Sequence, residues 1–291
     1  MQHKIRWTTT KIAQRLSLIE SMVYRRRESL PDFHLAYTDD PLHYPAFPID
    51  YTNYSVHKPN TYWAGADQNF ILDTTFCVPS DWGKDAAVAI YLPLGIPGSF
   101  SHPEALVYID QKPFATCDRH HQEILLRPEW CDGQPHQLTL HGWTGNDHQE
   151  GEHARLLMRQ CAAVQIDQPT RDFVAAVRVA LGIATLLGEN EPARNFLLNA
   201  LNDAFNQLDT REPLGDEFYA SLTAAHQTLR DGITAAGQPL DVSITATGHA
   251  HIDVAWLWTV NQVRNKTSRT FHTVLRLMEQ FPEYHFTQSQ P

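Results

Sequence analysis

Cysteine, basic charge and long apolar runs are what this 291-residue sequence has least of. Its four cysteines, Cys77, Cys117, Cys131 and Cys161, stand far apart with no Cys-x-x-Cys pair. That spacing argues against a cysteine zinc site or a dithiol redox centre, and for reduced, packed thiols. Lys and Arg number 23 against 33 Asp and Glu, a formal charge of −10. A general nucleic-acid binder needs a basic face to displace counterions from phosphate, which this balance does not supply. The one basic run, Arg25-Arg26-Arg27, reads as the end of a helix, where cations suit the dipole. No segment approaches the ~20 apolar residues that cross a bilayer, and the polar start Met1–Thr10 lacks the apolar core of a signal peptide. A cytoplasmic protein engaging neither membrane nor nucleic acid is expected. Internal repeats and low-complexity tracts are absent too. The 16 histidines mostly scatter through loops.

What is present allows a sizeable core, since 42% of residues are hydrophobic. The length suits about two domains at ~100–200 residues each. Thr8-Thr9-Thr10 offers helix caps, and Ile12, Leu16, Ile19 and Val23 follow at helical spacing. A helix of about four turns is expected, which could serve homo-oligomer assembly. Pro31 to Pro59 shows little periodicity, so residues 1–59 read as this helix plus an irregular connector.

Over residues 60–166 the pattern becomes short extended runs with turn signals between them. Phe70–Phe76, Ala87–Leu92, Ala105–Ile109 and Gln137–His141 are candidate strands. Asp81-Trp82-Gly83, Leu94-Gly95-Ile96-Pro97-Gly98, Asp110–Pro113 and Cys131-Asp132-Gly133 punctuate them. An antiparallel sandwich that resembles sugar-binding jelly rolls is expected. Trp63, Trp82, Trp130 and Trp143 suit either a sugar-stacking surface or the core, and the core is the commoner use.

Residues 167–238 return to a helical period. Phe173, Val174, Val177, Ala180, Leu181 and Ala184 form one stripe, ended near Gly188. Pro192 opens a second through Phe196, Leu197, Leu201 and Phe205, and a third runs from Asp216 through Phe218, Leu222, Ala225 and Leu229 to Gly232. This is a helical spacer.

The chemistry concentrates in 239–291. Asp241–Thr247 reads as a strand, followed directly by Gly248-His249-Ala250-His251-Ile252-Asp253. A helix from about Asn261 to Gln280 comes next, with Val263, Phe271, Val274, Leu275 and Met278 favouring one side and Lys266, Arg269 and Arg276 mostly elsewhere. Pro282 ends it and Tyr284–Gln288 begins a second strand. Strand-helix-strand units gather ligands at the C-terminal ends of their strands. Alternate side chains of extended backbone share a face, so His249, His251 and Asp253 are three potential zinc ligands. A lone His-x-Asp is a weak signal, and backbone partners could satisfy both histidines. The same run also fits metal-dependent amidohydrolases, with His249 and His251 as the ligands. A third alternative is a non-catalytic carbohydrate-binding module built on the sandwich.

The string from Gly248 to Trp258, Gly-His-Ala-His-Ile-Asp-Val-Ala-Trp-Leu-Trp, closely resembles the start of the catalytic domain in glycoside hydrolase family 38, the class II α-mannosidases. The similarity continues through Lys266, Arg269–Phe271, Val274–Glu279, Phe281–Tyr284, Phe286 and Ser289-Gln290. It looks most like the cytosolic and vacuolar branch, whose β domain opens with a motif like Tyr62-Trp63-Ala64-Gly65-Ala66-Asp67, before a helical region and the barrel. The resemblance implies a multidomain α and β protein: N-terminal helix, jelly-roll-like sandwich, helical spacer, then the first strand-helix-strand of a (β/α) barrel, truncated as an N-terminal fragment. It implies a zinc ion held by His251 and Asp253, with His249 outside the coordination shell, and Trp256 beneath the sugar. The implied reaction is retaining hydrolysis of terminal α-linked mannose on oligosaccharides. That reaction needs two carboxyl groups about 5–5.5 Å apart. The resemblance places them further along a complete chain, so no catalytic residue is assigned here, and Glu279 and Glu283 are not substitutes. Residues 1–291 alone are expected to bind zinc poorly and to hydrolyse no mannoside. Many members have proline after the second tryptophan and then an acidic residue; here Thr259 and Gln262 stand at those places.

Overall fold

A computed structural model describes residues 8–82, 86–95, 102–145, 155–237 and 242–289. The chain divides into two compact units, Met1–Arg26 with Gln165–Ile244, and Arg27–Val164 with Thr245–Pro291. Gly83 and Ile96-Pro97-Gly98 of the expected turns, Asp241 of the expected strand and Gln290 lie outside the described residues.

The first unit is built on four helices: α1 (Thr8–Glu20), α2 (Gln168–Leu186), α3 (Pro192–Gln207) and α4 (Asp216–Ala236). Their buried positions are the stripes of the sequence: Ile12, Leu16 and Ile19 on α1, Phe173, Val174, Val177, Ala180, Leu181 and Ala184 on α2, Phe218, Leu222, Ala225 and Leu229 on α4. On α3 Phe196 departs from this, half exposed, while Leu197, Leu201 and Phe205 are buried. Asp167 caps α2 by accepting from the Thr170 amide. Gly232 does not end α4; a side chain there would meet Ala200 Cβ of α3 at 2.1 Å, so glycine permits the close approach of the two helices. Arg25-Arg26-Arg27 is not helical. α1 stops at Glu20, a single 3₁₀ turn follows, and the arginines continue in strand β1 (Tyr24–Ser29), held by a sheet ladder instead of a helix dipole. Arg25 pairs with Asp216 at 2.7 Å and lies over the Tyr219 ring.

The second unit holds the sandwich. One sheet has the order β1, β12 (Ala162–Ile166), β6 (Ala87–Tyr91), β9 (Glu123–Leu125). The other has the order β3 (Ser55–His57), β2 (Phe33–Thr38), β5 (Asn69–Phe76), β10 (His136–Trp143), β7 (Glu104–Ile109), β8 (Lys112–Cys117), antiparallel throughout. A two-stranded ribbon joins β4 (Thr61–Ala64) to β11 (Leu156–Met158). Period-2 side chains from both sheets, such as Leu72, Val107, Leu138 and Leu140 facing Val88, Ile90 and Ala163, make one core. Trp63, Trp82 and Trp130 are buried in this core, as the core alternative has it, whereas Trp143 is buried outside it against His102. The connector expected over 31–59 contains β2 and β3; Phe33 and Leu35 are buried at alternate positions, a signal too short to stand out among polar neighbours. Asp110 and Gln111 adopt positive φ and turn β7 into β8, where the turn signal lay.

The outer face of the six-stranded sheet is polar but not open. The segment before β3 covers part of it: Tyr44 packs on His141, and Tyr51 donates to the buried Asp73 at 2.5 Å. Thr139 and Gln137 also donate to Asp73, and burial together with that carboxylate pushes the Tyr51 phenol up to about 12. Over β7 and β8 lies α5 (Val260–Gln280).

Candidate functional site

The last described segment folds as β13 (Gly248–His249), α5 and β14 (Phe286–Thr287), with the two strands parallel. Gly248 has no side chain because Tyr284 occupies the space: a Cβ would lie 2.1 Å from its hydroxyl. The strand expected over 241–247 is confined to Gly248 and His249. Residues 242–247 are exposed and carry no regular structure; a parallel strand is stable when neighbours cover it, and β14 is the partner found among the described residues.

This shortening decides the geometry of the proposed ligands. Extended alternation does not carry all three side chains into one pocket, because the strand ends at His249. His249 Nε2 lies 2.8 Å from Ser289 Oγ, and the ring lines a cavity with Lys266, Arg269 and Tyr284. His251 and Asp253 remain together across the buried Ile252, with Nε2 and Oδ1 3.0 Å apart and both side chains open to solvent. The pair offers one imidazole nitrogen and one carboxylate oxygen, a donor set suited to zinc at ~2.0–2.2 Å. Among the described residues no group of three or more His, Cys, Asp or Glu gathers as a metal site. The pair therefore fits as part of a ligand set.

Trp258 Nε1 donates to the Asp253 carbonyl at 3.1 Å, and Trp256 meets Trp258 edge-on at 5.4 Å. Trp256 is 59% exposed, unlike the four sandwich tryptophans. Lys266 Nζ lies 5.0 Å from the Trp258 ring centre. Thr259, standing where the family has proline, accepts from the Gln262 amide and caps α5. Glu279 pairs with Arg127 and Arg276.

A buried ion cluster that the sequence did not reveal fixes α5. Glu104 of β7 is bonded by Arg269 at 2.6 Å and Lys266 at 2.9 Å, and Thr116 donates to the Arg269 carbonyl at 2.7 Å. His102 Nδ1 lies 3.5 Å from the same carboxylate, and burial pushes that imidazole down to about 4. Burial does the same to His141. The cluster joins residues far apart in sequence, so no local motif announces it.

Residues 241–291 match the profile of the glycosyl hydrolases family 38 N-terminal domain. That segment is similar to the start of the catalytic domain of glycoside hydrolase family 38. Similar proteins include alpha-mannosidase 2C1 of Homo sapiens, 33% identical over 114 residues, covering 39% of this chain and 10% of that protein. Alpha-mannosidase G of Dictyostelium discoideum is 43% identical over 47 residues, 16% of this chain and 4% of that one. The alpha-mannosidase of Saccharomyces cerevisiae is 34% identical over 89 residues, 31% and 8%. The chain thus spans about a tenth or less of the length of these relatives. No helix among the described residues is long and apolar enough to cross a membrane.

Proposed function

We propose that residues 241–291 form part of the site of a zinc-dependent, retaining α-mannosidase of the cytosolic and vacuolar type, acting on terminal α-linked mannose of oligosaccharides in the cytoplasm. The observation that carries this is the facing pair of His251 Nε2 and Asp253 Oδ1 at the end of β13, set beside the exposed Trp256. The similarity of the segment to this family and the names of its relatives support the substrate class. Free, widely spaced thiols support the compartment.

In this reading β13 and β14 begin a (β/α) barrel, whose strand ends are the usual place for such a pair. His251 and Asp253 would hold the zinc, which would supply electrostatic hold on the sugar's hydroxyls. Trp256 offers its ring to the apolar side of the pyranose and excludes water there. The Trp258 indole, bonded to the Asp253 carbonyl, holds the backbone that carries the carboxylate. The nucleophile and the acid are assigned to no described residue. The amidohydrolase alternative needs His249 beside His251, and the bond from His249 to Ser289 stands against it.

Titration of residues 1–291 with Zn²⁺, followed by the histidine-ring NMR signals, tests this. Weak binding at His251 is expected, weakened at least tenfold in Asp253→Ala and unchanged in His249→Ala. Equal loss in His249→Ala would overturn the ligand pair. No turnover of a chromogenic α-mannoside by residues 1–291 is expected, because neither of the two carboxyl groups is assigned to a described residue.

A further inference from the structure

We propose that the sandwich positions Asp253 from a distance: Glu104 and Lys266, acting through Trp258, fix the backbone that carries this carboxylate. The consequence for a metal rests on the reading above, whereas the contacts themselves do not. Residues 250–258 form no helix or strand, so no ladder of backbone bonds holds Asp253 in place. Within this stretch the Trp258 indole N–H donates to the Asp253 carbonyl at 3.1 Å, and the Trp256 amide donates to the Trp258 carbonyl at 3.2 Å. On the other side of Asp253, Ile252 is buried. The indole bond therefore places Asp253 only as well as the Trp258 ring is itself placed.

Lys266 of α5 sets its ammonium 5.0 Å from the centre of that ring, inside the ~6 Å over which a cation is attracted to an aromatic face. A lysine ammonium swings on a flexible four-carbon stem, and here Glu104 Oε1 accepts from it at 2.9 Å. Glu104 is buried, opens β7 and stands in register with Trp143 of β10, so its carboxylate moves with the six-stranded sheet. A rigid sheet thus reaches an irregular loop, from carboxylate to ammonium, from ammonium to ring face, and from indole edge to carbonyl. Arg269 separates this role from simple anchoring. It takes the other Glu104 oxygen at 2.6 Å, and its carbonyl accepts from Thr116, so α5 is tied to β7 and β8 without Lys266. The Arg269 side chain is 5% exposed and that of Lys266 23%. The deeper cation holds the helix, and the shallower one reaches the Trp258 ring. Groups that orient a metal ligand typically change metal affinity ~10–100-fold when they are lost, so a residue one contact further out should have a smaller effect of the same kind.

Exchange of the Trp258 indole proton with water, measured by NMR on the metal-free 291-residue chain, tests the proposal, with Trp258→Phe to assign the signal. Lys266→Met should speed this exchange about fivefold, and Lys266→Arg, which keeps a cation over the ring, should bring it back within about twofold of the parent. Glu104→Gln should speed it as well, and Lys266→Met added to Glu104→Gln should speed it little further, because both act along one path. Arg269→Lys should leave it unchanged. The Trp63 indole, which donates to the Leu94 carbonyl at 2.7 Å, reports any general loosening of the sandwich. Unchanged exchange in Lys266→Met, or an equal rise at Trp63 and Trp258, would overturn the proposal. Independent, additive effects of Glu104→Gln and Lys266→Met would overturn the part given to Glu104. Zn²⁺ titration followed at the His251 ring is the second readout: affinity should fall about threefold in Lys266→Met and recover in Lys266→Arg. No Zn²⁺ response at His251 in the parent, with Trp258 exchange still set by Lys266, would sink the metal reading and leave the positioning of Asp253 standing.

Discussion

On α2 the stripe Phe173, Val174, Val177, Ala180, Leu181 and Ala184 is buried, whereas on α5 Phe271, Leu275 and Met278 are 40%, 52% and 39% exposed. The buried side of α5 is instead Gln262, Asn265, Arg269 and Val274. Both helices are amphipathic, and the difference lies in what faces them. α2 meets α1, α3 and α4, each offering an apolar side. α5 meets the outer face of β7 and β8, where Glu104 and Thr116 call for charge and hydrogen bonds. Hydrophobic periodicity thus predicts a helix reliably, but the face that is buried depends on the chemistry of the neighbour.

Two anchors make the comparison testable at its strongest point. Phe173→Ala should cost ~3–5 kcal/mol through a cavity among apolar helices. Glu104→Ala should cost about as much, ~3–5 kcal/mol, by leaving Arg269 buried without its carboxylate. Urea unfolding of both variants checks this; a Glu104→Ala loss below ~1 kcal/mol would show that α5 is not held by the cluster.

The two anchors should part company with pH. His102 and His141 are neutral in the fold down to about 4, while an unfolded imidazole takes a proton near 6.5. Unfolding therefore binds protons below pH 6.5, and stability falls from there until the folded groups titrate near 4, by up to ~3 kcal/mol for each histidine. His121, raised by its bond to Asp118, works in the opposite direction. Stability curves between pH 7 and 4 for the parent and His102→Gln with His141→Gln should converge as pH falls. Parallel curves would remove both histidines from the account.

The smallest effect is the most diagnostic. Leu275→Ser on the exposed side of α5 should change stability by less than ~0.5 kcal/mol. A loss above ~1.5 kcal/mol would mean that this stripe is covered in solution, and α5 would then resemble α2.

Much of the architecture is legible in the residues. The helical stripes of α1, α2 and α4, the β7–β8 turn at Asp110 and Gln111 and the strand-helix-strand order around α5 follow from local period and turn chemistry. The two zinc-suited donors are legible as a motif, and the resemblance sets His249 apart from them; the early end of the strand at His249 is not legible. Alternation assumes that a strand continues, and β13 stops after two residues when, among the described residues, β14 alone supports it. The Arg25–Arg27 run and the strands β2 and β3 are not legible locally for the same reason: short extended segments take their structure from partners across the sheet.

The sequence by itself determined where most helices form, that a His-x-Asp pair precedes a tryptophan, and that the final segment resembles the α-mannosidases. Only the tertiary structure decided which side of α5 is buried and that Glu104 binds Arg269 across 165 positions. The first set depends on neighbours within a few residues, the second on groups the chain brings together only when the sheets close.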